Sequence, residues 1–120
     1  MNNDHLSKGQ KAEDMAESFL RTKGLVTLEK NFRCKLGEID LIMRDQEALV
    51  FVEVRLRTNP FFTNAAESVD KQKRRKIMNT ASYYLQQKHL TDKVACRFDV
   101  IAIQHNSIRD SNWIINAFGV

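Results

Sequence analysis

Gly37-Glu38-Ile39-Asp40-Leu41-Ile42-Met43, a polar stretch from Arg44 to Glu47, and then Ala48-Leu49-Val50-Phe51-Val52-Glu53-Val54-Arg55-Leu56-Arg57 form the part of the chain that decides how it folds. Two extended segments joined by a short polar turn predict an antiparallel hairpin, and Leu25-Val26-Thr27-Leu28 ahead of them makes it a three-stranded meander. In the second arm Val50, Val52, Val54 and Leu56 alternate with Phe51, Glu53, Arg55 and Arg57, which predicts one aliphatic face and one face carrying charges in a row. Glu38 and Asp40 share a face of their strand, as do Glu53 and Arg55 of theirs, because side chains two apart point the same way. Pairing of the two arms brings Asp40 toward Glu53.

The flanking segments read as helices and further strands. From Ser7 to Lys23, apolar residues at Ala12, Met15, Ala16, Phe19 and Leu20 follow helical spacing, with Ser7 as cap and Gly24 as terminator. Glu13 lies on the shoulder of that stripe and overlooks whatever the helix packs on, whereas Asp14 points to solvent. A loop from Thr58 to Asn64 holds Pro60, Phe61 and Phe62, two rings expected to anchor it against the core rather than stack on bases. A second helix is expected from Ser68 to Lys88, with Ile77, Ala81, Tyr84 and Leu85 on one face. Five of residues 71 to 76 are basic, an arrangement that opposes the helix dipole and suits a phosphate-facing role or a solvated charge run. Extending the apolar stripe backwards puts Lys73 and Arg74 on the sheet side, with Lys71 and Arg75 further round. From Ala95 to Gln104, Phe98, Val100 and Ala102 alternate with Arg97, Asp99, Ile101 and Ile103, and Trp113 to Phe118 closes the chain as a last strand. Asp99 is expected to be a buried hydrogen-bond partner that fixes the sheet.

The chain has 120 residues, enough for a single domain spanning 1–120 with one packed interior. Nineteen Lys and Arg against fifteen Asp and Glu give a net charge of +4, which suits an anionic partner. No apolar run approaches the ~18 residues of a membrane span and no leader pattern opens the chain, so the expectation is a cytoplasmic protein that makes no membrane contact. Cys34 and Cys96 are far apart without a CxxC motif, and His5, His89 and His105 belong to no cluster, so neither a zinc site nor a disulfide framework is expected. No glycine-rich phosphate loop and no glycine-flanked serine occur, which argues against nucleoside triphosphate hydrolysis and acyl transfer.

The acid pair remains. Two carboxylates held close repel unless a divalent cation or surplus positive charge neutralises them, and oxygen ligands suit Mg²⁺ or Mn²⁺. A metal that lowers the pKa of a bound water, beside a cation that stabilises developing charge, makes a phosphodiester hydrolase. The residues alone also allow a surface pair of Asp40 and Glu53 bridged to Arg55 and Arg57, which such strands often show.

Gly37-Glu38-Ile39-Asp40-Leu41-Ile42 followed by Phe51-Val52-Glu53-Val54-Arg55-Leu56-Arg57 resembles the signature of the small bacterial YraN family, placed in the PD-(D/E)XK nuclease superfamily. The resemblance extends through Gly9, Glu13, Arg33, Val69, Lys73, Arg97-Phe98-Asp99-Val100 and Asn116-Ala117-Phe118, essentially the whole chain. It implies an α/β fold with a restriction-endonuclease-like core, a mixed β-sheet flanked by helices in the order α-β-β-β-α-β-β. It further implies Asp40 and Glu53 as metal ligands, Glu13 as an additional one, and Arg55 as the basic catalytic residue with them. Arg55 stands where the superfamily usually has lysine, and Ile39 precedes Asp40 where it has proline. Lys73, Arg74, Arg57, Lys71 and Arg33 are the expected nucleic-acid-binding residues. The implied activity is that of a Mg²⁺- or Mn²⁺-dependent endonuclease on DNA, branched or structured DNA in particular. The alternatives are a non-catalytic nucleic-acid-binding module and an interaction subunit, which Phe61-Phe62 and the Trp113 to Phe118 edge would support as a homodimer or with a partner protein.

Overall fold

A computed structural model describes residues 7–56, 69–104, 107–108 and 112–119. The elements follow as α1 (Lys8–Thr22), β1 (Val26–Cys34), β2 (Gly37–Asp45), β3 (Ala48–Leu56), α2 (Lys71–Gln87), β4 (Cys96–Ile103) and β5 (Trp113–Phe118). This is the expected α/β order. The five strands form one sheet in the spatial order β1-β2-β3-β4-β5. The first three make the antiparallel meander, β4 joins β3 in parallel across the α2 connection, and β5 returns antiparallel, so the sheet is mixed.

The helices cover opposite faces of the sheet. On one, Ala12, Ala16 and Leu20 of α1 pack on Leu41, Met43, Val50, Val52, Ile101 and Ile103. Ile77, Ala81 and Tyr84 of α2 pack on Phe32, Ile39, Ile42, Phe51, Val100 and Ala102 on the other. The expectation of a charged second face on β3 therefore holds only for its C-terminal half: Phe51 is buried under α2, and charge begins at Glu53. Edge-on contacts link Phe32 and Phe51 to Tyr84, and Phe51, Phe98 and Phe118 stack in series.

Local chemistry sets the element ends. Ser7 and Gln10 form a reciprocal capping box on α1, the Ser7 hydroxyl accepting the Gln10 N–H at 3.1 Å. α2 starts at Lys71 rather than Ser68, because Asp70 caps it by accepting the Lys73 N–H at 2.8 Å. That carboxylate sits at the positive end of the dipole, where it offsets the five cations that follow. β1 runs to Cys34, well beyond Leu28, and a register shift between Thr27 and Glu29 leaves Leu28 as a bulge.

α1 is tied to β1 by polar contacts. Thr27 donates to Glu17 at 2.7 Å, and Lys30 pairs with Asp14 at 2.6 Å and with Glu17 at 3.2 Å. Asp14 is thus half-exposed and paired rather than simply directed into solvent. Glu13 precedes Glu17 by four residues, so the same helix face carries it toward the sheet.

Asp99 is fully buried and fixes the far edge. It accepts from Arg97 Nε at 3.0 Å, from Trp113 Nε1 at 3.0 Å and from the Asn116 N–H at 2.9 Å. The register between β4 and β5 shifts at this point, between Phe98 and Val100, and the Asp99 carboxylate fills the irregularity. Arg97 also donates to Asp45 at 3.0 Å, which ties β4 to the end of β2.

Candidate metal and nucleic-acid site

The β2–β3 ladder runs from Asp45↔Ala48 up to Leu41↔Val52 and stops there, whereas the β3–β4 ladder continues to Leu56↔Ile103. The two middle strands therefore part just after Leu41. Alternation in β2 breaks at the same place, since Ile39 and Ile42, three residues apart, both face α2. Asp40 occupies the split. Its Oδ2 accepts the Val54 N–H at 2.8 Å, a bond that a strand partner would otherwise make.

Glu53, one residue before Val54, is only 4% exposed. Its carboxyl lies within hydrogen-bonding reach of Asp40. Burial first, and the Asp40 charge second, push its pKa up to about 8 against the opposing charges of Lys73 and Arg55. Arg55 Nη1 stands 3.5 Å from Glu53 Oε2, and Lys73 Nζ on α2 stands 3.7 Å from the same oxygen. Glu13 reaches Asp40 from α1. Burial and then Asp40 push Glu13 up to about 7, while a hydrogen bond from Asn31 and the charge of Lys30 oppose the rise.

Asp40 is thus the member common to both carboxylate contacts. Among the described residues no three His, Cys, Asp or Glu side chains gather into one closed metal-binding cluster, so the fit to a cation rests on the chemistry of the donors. That chemistry fits Mg²⁺ or Mn²⁺: all donors are oxygens, and two of the three carboxyls are shifted toward holding protons that a divalent cation would replace.

The expected site residues separate into groups. Asp40, Glu53, Arg55, Glu13 and Lys73 come together. Arg33 and Glu38, register partners in the β1–β2 hairpin, pair at 3.2 Å and are 74% and 51% exposed. Arg74 donates to the Val69 carbonyl at 2.7 Å and lies 5.6 Å over the Phe118 ring, so it fastens the start of α2 to β5. Lys71 is exposed in the first turn of α2. Arg57, Phe61 and Phe62 lie outside the described residues.

Two contributors escaped the pattern of the sequence. Asn31 holds a left-handed backbone (φ 54°) opposite Asp40, between the register pairs Lys30↔Leu41 and Phe32↔Ile39, and its side chain hydrogen-bonds Glu13. The available signal was its residue type, since asparagine tolerates that conformation better than most. The second is Gly37, where a Cβ would meet Thr80 Oγ1 at 2.8 Å, so α2 approaches the hairpin only because no side chain intervenes.

The order α-β-β-β-α-β-β and the mixed five-stranded sheet between two helices are compatible with a restriction-endonuclease-like core. Residues 12–103 match the model of "Uncharacterised protein family UPF0102". The UPF0102 protein of Nitrosospira multiformis is 50% identical over 113 residues, 94% of this chain and 93% of the relative. That of Hahella chejuensis is 49% identical over 110 residues, 92% and 88% of the two chains. That of Vibrio parahaemolyticus is 47% identical over 109 residues, 91% and 89%. The chain belongs to family UPF0102, which is the YraN family.

Proposed function

We propose that this chain is a divalent-metal-dependent endonuclease that hydrolyses phosphodiester bonds in DNA. The observation that carries the reading is that Asp40, where the strands part, interacts with Glu53 on one side and with Glu13 on the other, with Arg55 and Lys73 beside Glu53. Asp40, Glu53 and Glu13 are the residues that would hold the Mg²⁺ or Mn²⁺. When bound, the cation supplies acidity to a water and charge neutralisation at the phosphate.

The remaining work falls to the protein. Asp40 is oriented by the Val54 N–H, which leaves its other oxygen for a ligand. Arg55 presents a planar guanidinium fork suited to a phosphate, so its role is to stabilise charge there. Lys73 supplies a point charge from the opposite element and positions the same phosphate or its neighbour.

The test is a panel of labelled single-stranded, duplex, flap and four-way-junction DNA, together with RNA, incubated with Mg²⁺, Mn²⁺ or EDTA. Wild type is compared with identically purified Asp40→Ala. Metal-dependent cutting that disappears in the variant is the expected result, and the preferred substrate is read from the same panel. Inactivity on every substrate, with salt-sensitive binding retained, would overturn catalysis in favour of a nucleic-acid-binding module.

A further inference from the structure

A groove runs between the β1–β2 hairpin and the N-terminal half of α2, lined by Arg33, Cys34, Gly37, Glu38, Lys73 and Lys76. Its narrow floor is Gly37, where a Cβ would come within 2.8 Å of Thr80 Oγ1 and 3.7 Å of Lys76 Cβ. Three cations face a single carboxylate there. That carboxylate, Glu38, is engaged with Arg33 at 3.2 Å, and Lys76 makes no ion pair among the described residues. Lys73 belongs both to this groove and, at 3.7 Å from Glu53, to the acid cluster. The groove is therefore continuous with the candidate site and carries surplus positive charge away from it.

We infer that this groove is a track for the sugar-phosphate backbone of one nucleic-acid strand, with Lys76 and Arg33 each holding a phosphate and Glu38 competing with that phosphate for Arg33. The inference deepens the nuclease reading and rests on it for the direction of the strand. Charge complementarity selects the occupant, because an alternating run of phosphates matches spaced cations on an open groove better than an acidic side chain does. The Arg33–Glu38 pair is highly solvated and contributes little to stability, so a phosphate displaces Glu38 at small cost. Free protein thus masks one of its phosphate-binding cations with its own carboxylate.

Binding is measured by fluorescence anisotropy of a labelled single strand and of the matching duplex, with the full chain in EDTA, across a salt series. The variants are Lys76→Gln, Arg33→Gln and Glu38→Gln. Lys93→Gln is the control of equal charge change: Lys93 lies beside Asp45 and Ala48, at the opposite end of β2, roughly 25 Å away by strand rise. Lys76→Gln and Arg33→Gln are expected to weaken binding several-fold and to lower the salt slope by about 0.7 to 0.9 per lost phosphate. Glu38→Gln is expected to tighten it. Equal effects of Lys76→Gln, Arg33→Gln and Lys93→Gln would overturn the track, and weaker binding by Glu38→Gln would overturn the competition. Because no metal is present, these outcomes are independent of cleavage: lost binding specificity with intact metal-dependent cutting refutes the track alone, and the reverse refutes the nuclease reading alone.

Discussion

The carboxylate of Asp40 accepts the backbone N–H of Val54 at 2.8 Å across the opening between β2 and β3. A side chain thereby replaces a strand partner just where the ladder ends. Asp40→Ala strips that N–H of its acceptor and is expected to cost about 1 to 3 kcal/mol, read from urea denaturation. Asp40→Asn keeps an acceptor oxygen and removes the repulsion on Glu13 and Glu53. It should therefore retain stability near that of wild type at pH about 8 while losing any metal-dependent activity. Equal destabilisation by both variants would show that the charge, not the hydrogen bond, holds the split open.

Stability should fall as pH rises. Glu53 has an ordinary value of 4.5 and a folded value of about 8, and Glu13 moves from 4.5 to about 7. Between these limits the folded chain binds more protons than the unfolded one, so their stabilisation is complete below about 4.5 and is lost as pH rises through 7 and then 8. The facing groups are Asp40, Lys73 and Arg55 for Glu53, and Asp40, Asn31 and Lys30 for Glu13. Denaturation midpoints of metal-free protein are expected to decline across this window, and Glu53→Gln should flatten the upper part.

A divalent cation should reverse that decline. Since it competes with the protons on Glu13 and Glu53, Mn²⁺ is expected to raise the thermal midpoint strongly at pH about 8 and only weakly near pH 5, following the usual linkage to ligand concentration. Asp40→Ala should show neither gain. A Mn²⁺ effect of equal size in wild type and variant would place the ion elsewhere.

The Asp99 network offers a test with a built-in reporter, because Trp113, whose indole donates to Asp99 at 3.0 Å, is the chain's one tryptophan. Asp99→Ala leaves Arg97 and the Asn116 N–H without their buried acceptor and is expected to cost about 3 to 5 kcal/mol. Native-state Trp113 fluorescence should shift with it. Trp113→Phe removes a single donor and should cost less in the same denaturation assay.

Gly37 is held at φ +153° against α2. Gly37→Ala forces Thr80 or the helix to move and is expected to cost about 1 to 3 kcal/mol. Thr80→Ala in the same chain should recover part of that loss, since the clash is with the Thr80 hydroxyl, which itself donates to the Lys76 carbonyl at 2.7 Å.

Much of this was legible in residue order. The alternation of Val50 to Leu56 marked β3, the spacing of Ala12, Ala16 and Leu20 marked the buried stripe of α1, and the placing of Glu13 on its shoulder agreed with where it meets Asp40. Asp99 was readable as a buried partner because a lone acid in an apolar strand must be satisfied. What periodicity misses is local departure from periodicity. The break between Ile39 and Ile42, the bulge at Leu28 and the left-handed Asn31 all depend on where neighbouring strands part or shift, a property of pairing rather than of one strand. Helical spacing put Arg74 on the sheet side with Lys73, and it lies there, over the Phe118 ring of the last strand at 5.6 Å, whereas Lys73 pairs with Glu53.

The parallel junction of β3 and β4 also orders events in time. Its first pair, Leu49 with Cys96, closes a long stretch of chain, whereas β1, β2 and β3 meet through tight turns. Loop-closure entropy makes the local hairpins the early structure and the crossover the late one. Glu13, Asp40 and Glu53 all belong to the early half, and Lys73 arrives with the late half. A folding chain must therefore gather its acids before the helix cation that accompanies them has docked, so divalent ions or protons present during refolding should speed the rate-limiting step as well as stabilise its product.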